Sequence, residues 1–573
     1  MEPVSRKRWR INEPDPARVS LLTRETGISP ICALVMVNRG MTEPAVAAGF
    51  LSSTLAAIRD PFLLPGMDHA VERLAGALNK REKVCVYGDY DVDGISAVAL
   101  LISFFRTVGL DCFYHIPRRL DEGYGLSREG VESAAAQGAR VIVTVDCGIT
   151  AVDESLFCSA LGIDLIITDH HTPGAAVPQA CAVINPHLPG SPPSFKSLAG
   201  VGVAFNLLIA LRSRLREEGC FGGNGGPNLR GYLDLVALGT IADIVPLVDE
   251  NRIFVKFGLA ELTPSPRIGV QALKAVAGVT GDVGCGAVGF RLAPRLNAAG
   301  RLEDAALGVE LLLCDDPKKG AEIAAELDAS NAERQALEQE ILRDALAKVK
   351  EEVGGANRKS IVLASREWHP GVIGIVASRI VDLYHRPTIL IALQEGSGRG
   401  SGRSIPNFHL HDALHACSEH LLKFGGHKYA AGLSIDEATL ERFVERFDEV
   451  AQGLLGDFDL TPELVVDGEL AAADITLELA EEIEQLSPFG VGNPEPVFML
   501  RSATVVDSRV VKGHHLKLRV SAGGRVFEAI GFNMAQGRAL SQSIDVAFSL
   551  SENSWNGKRR VQLRLRDFRE AVK

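Results

Sequence analysis

A short apolar run ending in three acids at alternating positions limits the folds open to this chain more than any other feature. Val84-Cys-Val-Tyr-Gly88 leads into Asp89, Asp91 and Asp93, closes on Gly94 and passes into an apolar, helix-like segment. Three carboxylates on one tight loop repel one another unless a cation sits among them. Two further strand-like runs end alike: Val141–Val145 enters Asp146-Cys-Gly148, and Leu165–Thr168 enters Asp169-His-His171. In an open parallel sheet the chemistry gathers beyond the carboxyl ends of the strands. Any one of these loops reads equally well as an Asp/Gly turn. Together, and joined by Asp243 in Gly239-Thr-Ile-Ala-Asp-Ile-Val-Pro-Leu247, they read as one metal site.

The Asp89-x-Asp-x-Asp93-Gly94 spacing also opens an EF-hand calcium loop. That loop needs a bidentate Glu at its twelfth position, which here is Leu100, and a preceding helix, where this sequence has a strand. Carboxylates with one imidazole suit two divalent ions sharing a bridging carboxylate. Such ions lie ~3.5–4 Å apart and clamp the attacking and leaving oxygens of a phosphoryl transfer. A histidine ligand tilts the choice toward Mn2+, with Mg2+ as a substitute.

At 573 residues the chain exceeds one hydrophobic core, so several domains are expected. With 46% hydrophobic and 23% charged residues it reads as a soluble globular protein. None of the ten cysteines forms a C-x-x-C pair, and Cys85, Cys147 and Cys314 lie in apolar runs. That argues for reduced thiols and a cytoplasmic location, not for disulfides or zinc. The charged first residues lack the apolar stretch of a secretory signal, and no run is long enough to span a bilayer, so no membrane partner is expected. The net charge of −12 argues against coating nucleic acid by charge alone. Its distribution is uneven: residues 501–573 hold fourteen Lys and Arg against six Asp and Glu. Such a basic module on an acidic body suits strand holding, although a solvated surface explains the charge as simply.

Along the chain, residues 1–75 read as a helical and irregular lead-in, and 76–316 as a doubly wound α/β domain with a parallel sheet. Residues 317–353, rich in Ala, Glu, Lys and Leu at helical spacing, predict one long connecting helix. A second α/β domain is expected over 358–455, opening on Ser360-Ile-Val-Leu-Ala364. From 460 to 573 short alternating strands, such as Leu516, Leu518 and Val520 between Lys517 and Arg519, predict a β-barrel of the OB type. Asn556-Gly557 before the last strand marks a hairpin turn.

These residues resemble the DHH phosphoesterase superfamily, named for the triplet present here as Asp169-His170-His171. The likeness covers nearly the whole chain and is closest to the superfamily's single-strand-specific 5′→3′ exodeoxyribonucleases. It is carried by GDYDVDG at 88–94, IPRRLDEGYGL at 116–126, VDCG at 145–148, TDHH at 168–171 and GTIADIVPL at 239–247. It continues through PRLNAAGRL at 294–302, WHPGVIGIVASRI at 368–380, GSGRSI at 400–405, FGGHKYAAG at 424–432 and PFGVGNPEP at 488–496.

The resemblance implies two metal ions held by Asp91, Asp93, Asp146, His170 and Asp243, with Asp146 bridging. Asp89 is either a further ligand or an acid behind the ligands. His171 would face the scissile phosphate, stabilising charge or protonating the leaving oxygen, and Asp169 would orient a neighbouring histidine. In the second α/β domain the Gly400–Ser404 loop offers N–H groups, hydroxyls and a guanidinium to a terminal phosphate. The resemblance assigns the 5′-phosphate to Ser401 and Arg403, with an arginine from the 116–126 motif, where spacing favours Arg119 over Arg118. Gly425-Gly426-His427 would bring an imidazole to the strand, and Asn297 and Arg301 would meet substrate from a loop. Phe408 is expected in a core, though it and His409 are also candidates for base stacking.

The implied activity is processive release of 5′-mononucleotides from single-stranded DNA, in repair and recombination. Implied partners are single-stranded DNA with a 5′ end, a single-strand-binding protein and a DNA helicase. A monomer is the default. A small-molecule phosphodiesterase of the same superfamily competes, although a tiny substrate needs neither a basic barrel nor a long helix. A catalytically silent strand-binding scaffold is the reading from another class. It expects missing ligands, and every ligand position here is filled.

Overall fold

The computed structural model describes residues 7–117, 125–222, 225–302, 304–353, 358–535, 540–555 and 558–571. The chain forms two compact units. One is Gly49–Ala332 with Leu486–Glu495; the other is Met1–Ala48 with Glu333–Gln485 and Pro496–Lys573.

The first unit is built on a parallel sheet of β1 (Val84–Gly88), β2 (Cys112–His115), β3 (Val141–Val145), β4 (Asp164–Thr168) and β5 (Ala182–Ile184), in the order β2-β1-β3-β4-β5. β1 and β3 are buried at every position, which is why they read as unbroken apolar runs rather than alternating ones. Val84, Val86 and Val143 pack into one core layer with α1 (Val92–Val108) and, further along the chain, the helix Gly200–Glu217. Cys85, Tyr87 and Ile142 pack into a second layer with α2 (Arg128–Ala136) and α3 (Val152–Ala160) on the opposite face. The winding reverses between β1 and β3, so the crevice beyond their carboxyl ends is the expected place for a ligand. The site is completed from α4 (Gly200–Glu217) and α5 (Leu233–Ala242), against which α6 (Asp249–Leu262) packs, and from α7 (Ala293–Leu302). Asn297 and Arg301 therefore lie on a helix, not on the loop expected from sequence.

The long helix α8 runs over Pro317–Lys348 and ends in a π-helical turn, Val349–Val353, five residues short of the regular helix read from composition. The second unit contains a mixed sheet of β6 (Ile361–Ser365), β7 (Thr388–Gln394), β8 (Ser397–Arg403), β9 (Lys423–Gly426) and β10 (Ala430–Asp436), ordered β9-β10-β8-β7-β6. Only β6 and β7 run parallel in it.

The expected glycine loop at 400–404 is mostly strand. Gly398, Gly400 and Gly402 turn to one face, where an added Cβ would meet Ile391 at 2.7 Å, Leu433 at 2.7 Å and Leu410 at 2.9 Å. Ser397, Arg399, Ser401 and Arg403 take the alternate positions. Glycine here makes room for a close-packed aliphatic layer instead of a turn. Phe408 is buried in that layer, edge-on to Phe447 at 5.9 Å.

The last part of this unit is a five-stranded closed barrel of β11 (Phe498–Val511), β12 (His515–Ala522), β13 (Arg525–Gly531), β14 (Ser543–Trp555) and β15 (Lys558–Glu570). The order is β11-β12-β13-β15-β14, and β14 closes on β11. β14 and β15 pair antiparallel out to Trp555 and Lys558; the Asn556-Gly557 turn lies outside the described residues. The lead-in segment holds a strand, Arg8–Ile11, that pairs in parallel with Glu463–Val466. Trp9 Nε1 also donates to Asp567 Oδ2 at 2.7 Å.

Candidate active site

Asp91 caps α1. Its Oδ1 accepts from the backbone N–H of Asp93 at 2.9 Å and of Gly94 at 3.2 Å, which fixes the turn out of β1 and aims Asp93 inward. Asp93 is buried and gripped by the start of α4: Oδ2 accepts from Gly200 N at 2.6 Å and Oδ1 from Val201 N at 3.0 Å. Gly200 and Gly239 leave room for the acids, since an added Cβ would lie 2.6 Å from Asp146 Oδ1 and 2.7 Å from Asp93 Oδ1 respectively. Asn297 Oδ1 accepts from Val92 N at 3.2 Å, bracing the same turn from α7.

Asp146 follows β3 in the left-handed region, at φ +61, and is buried. A non-glycine residue held there signals a constraint imposed by its surroundings. Its Oδ1 stands 3.1 Å from His170 Nε2 and 3.9 Å from His171 Nδ1. Asp243, the residue closing α5, brings Oδ2 to 3.5 Å from the same His170 Nε2. Three overlapping groups have ligand atoms within 4.8 Å of one another: Asp89, Asp91 and Asp146; Asp93, His170 and Asp243; and Asp146, His170 and His171. The structure thus gathers Asp89, Asp91, Asp93, Asp146, His170, His171 and Asp243 into one cluster within one unit.

The electrostatics of the cluster call for cations. Burial and the Asp91 charge push Asp93 up to about 7, against the pull of the Val201 and Gly200 N–H groups. Burial and the neighbouring acids drive Asp146 and Asp243 well above the usual carboxylate range. Burial, with His171, pushes His170 down to about 3, leaving it a neutral donor. His170 Nε2 and Asp243 Oδ2 are buried without a hydrogen bond and face one another. Carboxylates with one neutral imidazole form a hard-to-borderline donor set, which fits Mn2+ or Mg2+.

Asp169 has a different task. Its Oδ1 accepts from His170 N at 2.7 Å, His171 N at 3.0 Å and the His171 ring at 2.7 Å, and its Oδ2 accepts from Ile149 N at 2.9 Å. Burial alone would raise its pKa, but the bond to His171 and that histidine's charge hold it below the usual range. Burial opposes protonation of His171; the Asp169 bond and charge outweigh it and raise the pKa. Asn185, absent from the sequence reading, donates its Nδ2 to His171 O at 2.9 Å and is fully buried. It follows β5 as the acids follow β1 and β3, so the strand-end rule pointed to it as well.

The remaining candidates lie elsewhere. Ser401 and Arg403 share one face of β8, with Arg403 Nη1 3.2 Å from Ser401 Oγ. Both sit under the start of α9 (Ile373–Tyr384), where a Cβ on Gly374 would lie 2.8 Å from Ser401 Oγ. His427 follows β9, its N–H donating to Ala430 O at 2.8 Å. His409 caps the short helix Leu410–His415, accepting from Asp412 N. Arg301 lies in the last turn of α7. Arg118 and Arg119 lie outside the described residues.

A switch-point cluster of carboxylates and histidine on this sheet, with a second α/β module and an OB barrel, defines a DHH-type metal-dependent phosphoesterase. The family models agree: the DHH family N-terminal domain matches residues 83–240, the DHHA1 domain 357–453 and the RecJ OB domain 466–567. The chain belongs to the RecJ family. It is 38% identical to the single-stranded-DNA-specific exonuclease RecJ of Bacillus subtilis, across 98% of this chain and 71% of that protein. It is 40% identical to the Escherichia coli protein of the same name, across 87% and 89%. The crystal structure of RecJ in complex with Mn2+ from Thermus thermophilus superposes with a TM-score of 0.85 at 34% identity, covering 99% of this chain and 80% of that one. The corresponding Mg2+ complex gives 0.79 at 33% identity, covering 99% and 79%.

Proposed function

We propose that the chain is a single-stranded-DNA-specific exonuclease that works from the 5′ end, releasing 5′-mononucleotides in DNA repair and recombination. The observation that carries this reading is the buried acid–histidine cluster, in a chain similar over nearly its full length to proteins named single-stranded-DNA-specific exonucleases. Two divalent ions, Mn2+ in preference to Mg2+, would acidify the attacking water and offset charge on the attacking and leaving oxygens. Asp91, Asp93, Asp146, His170 and Asp243 are the ligands we assign, with Asp146 shared; Asp89 stands among them or directly behind. The Mn2+ and Mg2+ complexes of the Thermus relative support the choice of ions.

His171, oriented by Asp169 and with its pKa raised, is suited to hold a proton beside the scissile phosphate and deliver it to the leaving oxygen. Ser401 and Arg403, beside the N-terminus of α9, are assigned to the 5′-phosphate, since a helix start and a guanidinium both favour an anion. Arg119, His427, Asn297 and Arg301 are assigned to the substrate strand on family resemblance. Asn297 also braces Val92.

By this reading residues 76–316 are catalytic, 358–455 hold the 5′ end and the barrel within 460–573 holds the strand, with 1–75 leading in and 317–353 connecting. No helix among the described residues is long and apolar enough to cross a membrane; the cytoplasmic location is assigned on the likeness to DNA-degrading relatives. A single-strand-binding protein and a helicase are carried as partners on family membership alone, and the protein is assigned as a monomer. The test is Mn2+-dependent release of nucleotide from matched single-stranded and duplex DNA. Digestion of the single strand with the duplex spared supports the reading; equal digestion of both, or of neither, contradicts it.

A further inference from the structure

Ile244, directly after Asp243, combines a left-handed backbone with an exposed aliphatic side chain. Its backbone sits at φ +62, a left-handed conformation that disfavours a β-branched side chain. The residue is 70% exposed, so burial returns little for that strain. An exposed isoleucine alone is ordinary, and a left-handed turn alone is commonly filled by glycine or asparagine. The two together single the position out.

The conformation is imposed from both sides. Ile244 N donates back to Ile241 O at 3.3 Å, closing α5. Downstream, Pro246 O accepts from Asn251 Nδ2 at 3.0 Å, and Leu247 N donates to Val491 O at 2.7 Å. The 486–495 segment presses close: an added Cβ on Gly490 would lie 2.7 Å from Leu247, and one on Gly492 3.1 Å from Pro246. This clamp holds Ile244 out into solvent one residue from a carboxylate that faces His170 at 3.5 Å. Strain that surroundings enforce beside a reactive cluster points to a function for the side chain.

We propose that Ile244 is a substrate wedge, packing on the base of the terminal nucleotide whose 3′ phosphodiester lies at the cluster and parting it from its neighbour. This rests on the exonuclease reading above. A single strand offers charged phosphates and apolar base faces; the cluster addresses the first and Ile244 the second. Every base has such a face, so an aliphatic wedge is indifferent to sequence, as an enzyme removing nucleotides in succession requires.

Ile244→Gly relaxes the backbone and deletes the wedge; Ile244→Ala deletes the wedge alone. Each is assayed with Mn2+ on a normal single strand and on one whose 5′-terminal nucleotide lacks its base. The glycine variant is expected to melt at the wild-type temperature or above. Both variants should lose roughly ten-fold in kcat/KM on the normal strand and less than about two-fold on the strand lacking the base. The Mn2+ concentration for half-maximal rate should not move. Equal losses on both strands, a shifted Mn2+ requirement, or no loss would each overturn the wedge. A wild-type protein that digests neither strand would overturn the exonuclease reading, and the wedge with it.

Discussion

Asp93 is the acid on which most of the local geometry converges, with Asp91 shaping its turn and two N–H groups of α4 holding its carboxylate. Asp93→Ala should abolish hydrolysis while single-strand binding largely survives, because binding rests on groups outside the cluster; a filter-binding assay beside the nuclease assay checks both. Asp169→Ala removes four hydrogen bonds that orient the DHH triplet. A loss of ~10–100-fold in rate is expected, with metal binding weakened far less than by Asp93→Ala. The raised pKa of Asp93 sets a sign for pH dependence. Its folded value of about 7 lies above the ordinary 3.8, so the metal-free fold binds a proton that the unfolded chain has released. That proton contributes stability below about pH 7, and the contribution is lost as pH rises through 7. Divalent ions compete with the same proton. The rise in melting temperature on adding Mn2+ should therefore be larger at pH 8 than at pH 5.5, and calorimetry at the two pH values measures it.

At the scale of elements, the strand ends are legible because physics gives them a plain signature: doubly covered strands are unbroken apolar runs, and several of them ending in acids that share one edge of a sheet exceed what turn chemistry alone requires. Asn185 obeys the same rule at β5 and escaped only because a neutral amide carries no electrostatic signal. β8 reads as a loop from sequence because glycine is normally a turn residue. The informative pattern was its period of two, Gly398, Gly400 and Gly402 against Ser397, Arg399, Ser401 and Arg403. Gly400→Ala tests that account: its Cβ would press on Leu433 and Ile391, and a destabilisation of about 1–3 kcal/mol is expected by denaturant unfolding. The helix carrying Asn297 and Arg301 was hidden by the glycine and proline of its motif. The pairing of Arg8–Ile11 with Glu463–Val466 joins segments that no local pattern connects.

For the whole molecule, the basic balance of residues 501–573 belongs to the barrel, and Arg509, Lys512 and Arg519 are exposed on β11, β12 and the turn between them. Replacing all three with alanine should weaken single-strand binding and flatten its dependence on salt, by about 0.7 in the log–log slope for each phosphate no longer neutralised. An unchanged slope would assign that face of the barrel to something other than nucleic acid. Entry of a metal-dependent exonuclease at the 5′ end is decided by Mn2+-dependent digestion of one single strand labelled at its 3′ end, with and without a 5′-phosphate. A ladder of labelled products shortening from the 5′ end, its rate changed by the 5′-phosphate, is expected. Cleavage of a dinucleotide with no ladder from the longer strand would contradict it.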